Sequence, residues 1–428
     1  NHSWYLFSEG GSWMPWYPTK GHYLRPAKDE NDWNGLVAIP HLSRDLALAY
    51  EGRNDFFASH PGNVQRGHGN TGLIHPYDFN LVDQYRMQED FNDGYSFYHV
   101  HVSPGWIGNC DNIQDPPEIS QKIYYEQLAY LAGLRNEGKV SDMHMAEFGE
   151  WYKKNMKIGR SEIGFGKEIL YGSGKHFLWV YNPSYRILID TSQGGSIGDF
   201  RPFIGEFDSF TGVDSPKREI GSYPYLIQSI FRTGTIHHSS DGARTSLFVS
   251  NGEETLDLCK YTSKISDLKK ENEDVTATLK PVMLTFKNGL KAEIETVYQL
   301  KNNGEIFISR KLISISDENA TLSVTEYFKG CYGFTEYQED MSELVLKVND
   351  REMNYNNESR KLKIEHAELL SVTIPPINTV VEMKPMNEKA SGSLEEGNLF
   401  IPYYVFRLNY SDFHLKKEVT TCLTIRKK

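Results

Sequence analysis

The chain predicts two fold classes in succession, an α/β domain followed by a large all-β antiparallel sandwich. Three observations carry this expectation. Between residues 97 and 154, short strand-like runs alternate with helical stripes, the rhythm of a parallel sheet or barrel. From about Gly164 onward, alternating runs are split by Asn-Gly at 251–252 and 288–289 and by Asn-Asn-Gly at 302–304, the turn chemistry of hairpins. No long helical stripe appears in that second part. The expected domains are therefore 1–160 and 165–428.

Taken in order, Ser3–Phe7 predicts a short strand inside a segment dense in Trp, Tyr, Pro and Gly. Leu36–Pro40, bounded by Gly35 and Pro40, suits a buried parallel strand. Ser43 is placed to cap a helix running through Tyr50, Phe56–Ser59 predicts a strand, and Asp78–Gln88 a helix. Tyr95–Trp106 alternates aromatic and β-branched residues with His99 and His101 until Pro104-Gly105 stops it, as in a strand whose two imidazoles share a face. Asp115-Pro116-Pro117-Glu118 opens the clearest helix, with Ile119, Ile123, Leu128, Leu131 and Leu134 as its apolar stripe and Gly138 as its stop. Val140–Met145 and Ala146–Lys154 follow as strand and helix. In the second half 177–181, 186–190, 292–298, 306–309 and 322–325 predict strands, and the charged stretch Lys264–Asp274 predicts an excursion.

Composition narrows the function. A formal net charge of -11, with no Lys/Arg-rich run, argues against a nucleic-acid partner. No apolar run approaches the roughly 20 residues that a membrane-spanning helix needs. Four scattered cysteines without CxxC signal neither a zinc knuckle nor a disulfide framework. Aromatic residues reach 13%, enough to line a sugar cleft or to fill a β-rich core. Trp4, Trp13, Trp16 and Trp33 crowd the first residues, either around a sugar-binding cleft or as a plug. Asp29 and Asp32 sit in a loop, either as a solvated turn or as partners of a histidine. His99 and His101 are either a catalytic pair at a strand end or core histidines with satisfied hydrogen bonds. His60, His68 and His75 lack the regular spacing of metal ligands.

Residues 1–155 also resemble the C-terminal half of a polysaccharide-deacetylase-like (β/α) barrel, a fold shared distantly with glycoside hydrolases. The resemblance rests on Arg25-Pro26 through Asp32-Trp33 with Leu36–Pro40, on Phe97–Pro104, and on Gln127–Trp151. It implies His101 as general acid, with His99 as the second choice, and Asp29 or Asp32 as the carboxylate that tunes it. The family's metal site needs an Asp-Asp pair and a His-xxx-His element. This chain has no Asp-Asp dipeptide, and Asn1-His2-Ser3-Trp4 is followed by Leu6 and Phe7, so a divalent metal such as zinc would need ligands upstream of residue 1. The second half resembles a galactose-mutarotase-like supersandwich through Tyr185–Asp190 followed by Gly194-Gly195-Ser196-Ile197.

These residues together predict a partial or complete (β/α) barrel followed by a β-sandwich, in a carbohydrate-active hydrolase. Its partner would be a polysaccharide or oligosaccharide, and its reaction deacetylation or glycosidic cleavage. Trp13, Trp16, Arg25, Trp33 and Trp106 would bind the sugar. Other expectations are a glycosidase built on Asp29, Asp32 and Glu147, a polysaccharide lyase, or a non-catalytic glycan-binding protein with a degenerate barrel. The expected location is secreted or cell-envelope rather than cytoplasmic. Because the first 155 residues offer too few strands to close a barrel, a missing N-terminal segment or a second copy of the chain, as a homo-oligomer, is expected to complete it.

Overall fold

The computed structural model describes residues 11–40, 43–47, 59, 74–100, 102, 117–168, 172–203, 226–228, 244–331, 344–349, 351–352, 361–375, 378–398 and 402–428. Two compact units divide the chain between Gly174 and Lys175.

The first unit holds helices α1 (Ile74–Arg86), α2 (Pro117–Asn136) and α3 (Met145–Asn155), then strand β1 (Glu162–Lys167). Helix α1 buries Leu81, Val82 and Tyr85, and α2 buries Ile123 and Leu134, whereas Leu128 of the expected stripe is exposed. The Trp- and Tyr-rich segment packs under α3. Tyr17 donates to the carbonyls of Tyr152 (3.0 Å) and Met156 (2.8 Å), and Tyr152 donates to the Pro15 carbonyl at 2.7 Å. Two buried amides act in place of a strand beside β1. Gln88 bonds both backbone groups of Phe165, and Asn92 bonds both of Ile163, at 2.7–2.9 Å.

Among the described residues no strand precedes Glu162, so they form no (β/α) barrel. Leu36–Pro40 contributes only an isolated bridge between Trp16 and Ala38, and Leu36 is exposed. Residues 97–100 are irregular because Ser43 meets the His99 backbone: the Ser43 hydroxyl accepts from His99 N and Ser43 N donates to His99 O, both at 2.9 Å. The expected strand at 140–145 is exposed chain that ends where a capping box starts α3, with His144 N donating to the Glu147 carboxylate at 3.0 Å. Residues 43–47 hold a turn, with Ala47 N bonded to the Asp45 carboxylate. The strands expected at Ser3–Phe7 and 56–58 lie outside the described residues.

Among its described residues the second unit is built of antiparallel strands, with short 3-10 turns at Thr191–Gln193 and Leu258–Lys260. Strands β2 (His176–Tyr181), β3 (Tyr185–Asp190), β4 (Ser196–Pro202) and β5 (Ile227–Gln228) neighbour one another in that order. Fifteen further strands form two large sheets. They are β6 (Arg244–Ser250), β7 (Thr255–Asp257), β8 (Ile265–Glu271), β9 (Asp274–Thr285), β10 (Lys291–Leu300), β11 (Glu305–Ile315) and β12 (Leu322–Cys331). After them come β13 (Val345–Val348), β14 (Arg351–Glu352), β15 (Lys361–Ala367), β16 (Leu370–Ile374), β17 (Thr379–Pro385), β18 (Ala390–Asn398), β19 (Pro402–Phe413) and β20 (Glu418–Lys427). Nine strands run in the order β14-β13-β16-β17-β20-β11-β10-β9-β8, and six in the order β15-β18-β19-β12-β6-β7.

Alternation builds the sandwich. Along β10 and most of β11 every second residue is buried, among them Ile294, Tyr298, Ile306, Ile308 and Leu312, and on the six-stranded sheet Val324, Phe328, Phe406 and Leu408 are buried likewise. One buried ion pair bridges the sheets, Arg310 of β11 to Glu326 of β12. The expected excursion at Lys264–Asp274 is instead the edge strand β8, whose charged residues suit an edge that must stay unpaired. The Gly194-Gly195 turn adopts φ of 64° and 77°, and the Tyr298 hydroxyl donates to the Gly195 carbonyl at 2.5 Å. A side chain at Gly195 would collide with Leu279.

Candidate functional site

The sequence-predicted residues of the first unit are placed as follows. His99 is half-buried, with Nδ1 2.9 Å from the Pro40 carbonyl and its ring edge-on to Phe97; no described carboxylate meets it. Asp29 is exposed and closes a local turn, accepting from Asn31 N and Asp32 N at 2.9 and 3.0 Å. Asp32 lies 3.5 Å from Arg25, whose Nε donates to the Thr19 hydroxyl. Trp33 stands half-buried, edge-on to Tyr17, with its indole N–H on the Leu36 carbonyl at 2.6 Å. The structure thus joins Arg25 with Asp32 and leaves His99 apart from both aspartates. Trp13 and Trp16 are 1% and 4% exposed and offer no ring face to a ligand. Trp13 packs against Gly164, where no side chain would fit, and Trp16 bonds the Tyr23 carbonyl. Both are plugs of the core, not the expected platform. His101, Trp4 and Trp106 lie outside the described residues.

A second group of side chains gathers on the six-stranded sheet. On β12, Ser323, Thr325, Tyr327 and Lys329 face away from the core and are half-buried. Register extends this face into cross-strand rows. Tyr327 pairs with Arg407 and Ser246, Lys329 with Arg244, and Thr325 with Asn409 and Phe248. Arg407 in turn faces Ser393, and Phe248 faces Asp257. Antiparallel partners share a face, so one surface about 24 Å wide at the usual strand spacing collects these groups.

The side chains hold one another in place. The Arg407 guanidinium lies 5.4 Å over the Tyr327 ring and donates to Glu395 at 2.9 Å. Phe248 meets Tyr327 edge-on at 5.3 Å, and the Lys329 ammonium lies 4.5 Å over Tyr403. Gly397, opposite Tyr403, leaves room for the phenol where any larger residue would collide with it. Arg244 donates to Asp257 at 2.8 Å, and the same carboxylate accepts from Ser246 and from Cys259 N.

Burial pushes the Glu395 carboxyl up, but the hydrogen bonds and charges of Arg407 and Lys361 outweigh it and leave it below the usual carboxylate range. It is therefore an acceptor rather than a proton donor. Burial raises the Tyr327 phenol and the Cys259 thiol, and both stay protonated at neutral pH. Glu395 and Asp257 are four strands apart, roughly 19 Å at ordinary strand spacing, too far for a catalytic pair that needs about 5–9.5 Å. The face thus presents aromatic rings and hydrogen-bonding groups held by their neighbours, and no acid–base pair at catalytic spacing. Among the described residues no cluster of three His, Cys, Asp or Glu is placed to hold a metal ion, and no helix is long and apolar enough to cross a membrane.

Strand register brings these side chains together, and the available signal was the polar and aromatic alternation Ser323, Thr325, Tyr327, Lys329.

No protein-family model matches the sequence, and no curated protein matches it. Among solved structures, a galactose mutarotase-like protein from Clostridium acetobutylicum superposes with a TM-score of 0.40 at 11% identity, over 62% of this chain and 99% of its own. The 4-alpha-glucanotransferase from Thermococcus litoralis gives 0.36 at 10% identity, over 86% and 49% of the two chains. Heparan sulfate lyase from Pedobacter heparinus gives 0.33 at 9%, over 91% and 53%. All three superpose loosely.

Proposed function

We propose that this chain is a carbohydrate-active protein that lays an oligosaccharide or polysaccharide across the Tyr327 face of its second unit. The observation that carries this is the Tyr327 ring held between Arg407 and Phe248, in a row of groups whose hydrogen-bonding atoms are fixed by neighbours. A pyranose has an apolar C–H face ringed by hydroxyls. An aromatic ring takes the first, and fixed carboxylates, amides and guanidiniums take the second.

Within this reading the chain acts as a hydrolase and the first unit carries the chemistry, with His101 as general acid. His99, committed to the Pro40 carbonyl, would position the loop rather than transfer a proton. Asp29 or Asp32 would be the carboxylate that tunes His101.

Affinity electrophoresis and calorimetry against a panel of soluble polysaccharides test the binding, and sugar or acetate release tests the turnover. Tyr327→Ala and Tyr403→Ala should each weaken binding about tenfold, the equivalent of roughly 1.4 kcal/mol for a lost ring contact. Equal binding by wild type and both variants would refute the face. Binding without product release, unchanged by His101→Ala, would leave a glycan-binding protein and remove the hydrolase.

A further inference from the structure

A different place in the second unit also has the form of a binding site. At one end of the sandwich, the turns β6–β7, β9–β10 and β11–β12 border an open surface hollow of about 440 Å³, where Asn288, Gly289, Ser316, Asp317 and Thr321 are exposed. It is lined by Asn251, Asn288, Gly289, Ser316, Asp317 and Thr321 among others. The size lies within the roughly 300–1,000 Å³ of small-molecule sites, but the lining is mostly polar where such sites are mostly apolar.

The chemistry of the lining follows from how the turns are closed. The Asn251 carbonyl oxygen accepts from Glu253 N at 3.0 Å and Glu254 N at 2.8 Å, and that of Asn288 from Leu290 N at 3.1 Å. The Ser316 hydroxyl oxygen accepts from Lys291 N at 2.9 Å, and one Asp317 oxygen from Asn319 N at 3.1 Å. Asn251, Asn288 and Asp317 are each fixed through one atom and keep another, and Ser316 keeps its hydroxyl proton. The two Asn amide NH₂ groups, that Ser316 proton, the second Asp317 oxygen and the Thr321 hydroxyl are unbonded within the described protein. The Asn288-Gly289 turn needs the left-handed φ of 88° that Gly289 supplies, which holds the Asn288 amide at the rim.

Rigid donors around one carboxylate oxygen, with no cation and no aromatic ring, select against most ligands. Calcium wants about six to eight oxygens, whereas here the Asn oxygens are turned to backbone N–H groups and Asp317 is the single carboxylate. An anion would meet Asp317. Vicinal hydroxyls match, one donating to the carboxylate while their oxygens accept from the amides.

We propose that this cavity binds a neutral sugar ring or polyol, as a site independent of the Tyr327 face. The substitutions Asn251→Asp and Asn288→Asp test it cleanly, since each keeps the oxygen that closes the turn and removes the free NH₂. TROSY NMR of the full deuterated chain, titrated with neutral monosaccharides, disaccharides and glycerol, should show saturable shifts of the Gly252, Gly289 and Leu290 amides. The double variant N251D/N288D should weaken that binding tenfold or more with an unchanged melting temperature, and Thr321→Val should weaken it severalfold. Tyr327→Ala should leave it untouched, so this site and the sheet face fail separately. No saturable shift with any polyol, equal affinity in N251D/N288D, or shifts produced by calcium alone in the wild type would each overturn the assignment.

Discussion

Glu326→Leu should be among the most damaging single changes available in the second unit, and pairing it with Arg310→Met should repair most of the damage. Arg310 and Glu326 are each 1% exposed and join the two large sheets through two parallel bonds, Nε to Oε2 at 3.0 Å and Nη2 to Oε1 at 2.9 Å. A third donor of the guanidinium reaches the Thr296 hydroxyl at 2.7 Å, and the group lies 5.9 Å over the Tyr298 ring. Burial pulls the Arg310 pKa down, but Glu326 and Tyr298 more than restore it, so the guanidinium stays charged. Removing the carboxylate strands that charge in the core with one neutral hydroxyl. Breaking a buried pair from one side costs about 3–5 kcal/mol, whereas replacing both partners with apolar residues of like volume is often neutral or better. In a unit of this size each kcal/mol is worth roughly 2–4 °C, so Glu326→Leu should lower the melting temperature by about 6–20 °C. R310M/E326L should return to within a few degrees of wild type. Circular dichroism with urea unfolding measures both. If the double variant is as unstable as the single, the pair is not a desolvation liability, and its bonds contribute net stability that apolar packing cannot replace.

Two further outcomes follow from the first unit. Burial first, and the nearby Arg25 charge second, lower His22 from 6.5 to about 3. The unfolded chain therefore takes up this proton before the folded one, and stability that is full above pH 6.5 drains as pH falls toward about 3, by an amount on the order of a few kcal/mol. His22→Asn keeps an acceptor for Leu24 N, and melting curves should show a flatter loss across that window; a slope identical to wild type would clear His22 of the effect. Asn92→Leu should cost about 2–4 kcal/mol in urea unfolding by orphaning both backbone groups of Ile163, and a loss under 1 kcal/mol would mean that water reaches them.

The sandwich was legible because its determinants are local. Alternation in 292–298 and 306–309 and the Asn-Gly turns specify hairpins without reference to distant residues, and the observed strands only extend those runs. Helix α3 was legible for the same reason. The first unit misled because period-2 alternation shows which residues could face a core but not what pairs with the backbone. Ser43 takes that part for His99, and Gln88 and Asn92 take it for β1. Composition cannot separate a tryptophan platform from a plug either. Trp13 became a plug because Gly164, far along the chain, leaves it a socket. The Tyr327 face needed register across five strands, which no single segment encodes.

The two faces of the six-stranded sheet show why the proposed site can be tested without breaking the fold. Its inner face carries Phe328, Tyr404, Phe406 and Leu408, all nearly inaccessible, with the three aromatic rings packed against one another. Truncating one of those would open a cavity and cost roughly 3–5 kcal/mol for an aromatic residue. The outer face carries Tyr327, Arg407 and Glu395, where the arginine and glutamate side chains are each 29% exposed. Ion pairs with that much solvent contribute about 0–1 kcal/mol, so their arrangement does little for stability. A merely solvated face would not need a guanidinium laid over a phenol and at the same time bonded to a carboxylate. Ordering those long side chains sacrifices rotamer entropy that such weak contacts barely offset, whereas a ligand that meets them already ordered binds more tightly. Substitutions on this face should therefore separate binding from folding, and a Tyr327→Ala variant that loses stability as heavily as an inner-face truncation would show that the ring belongs to the core.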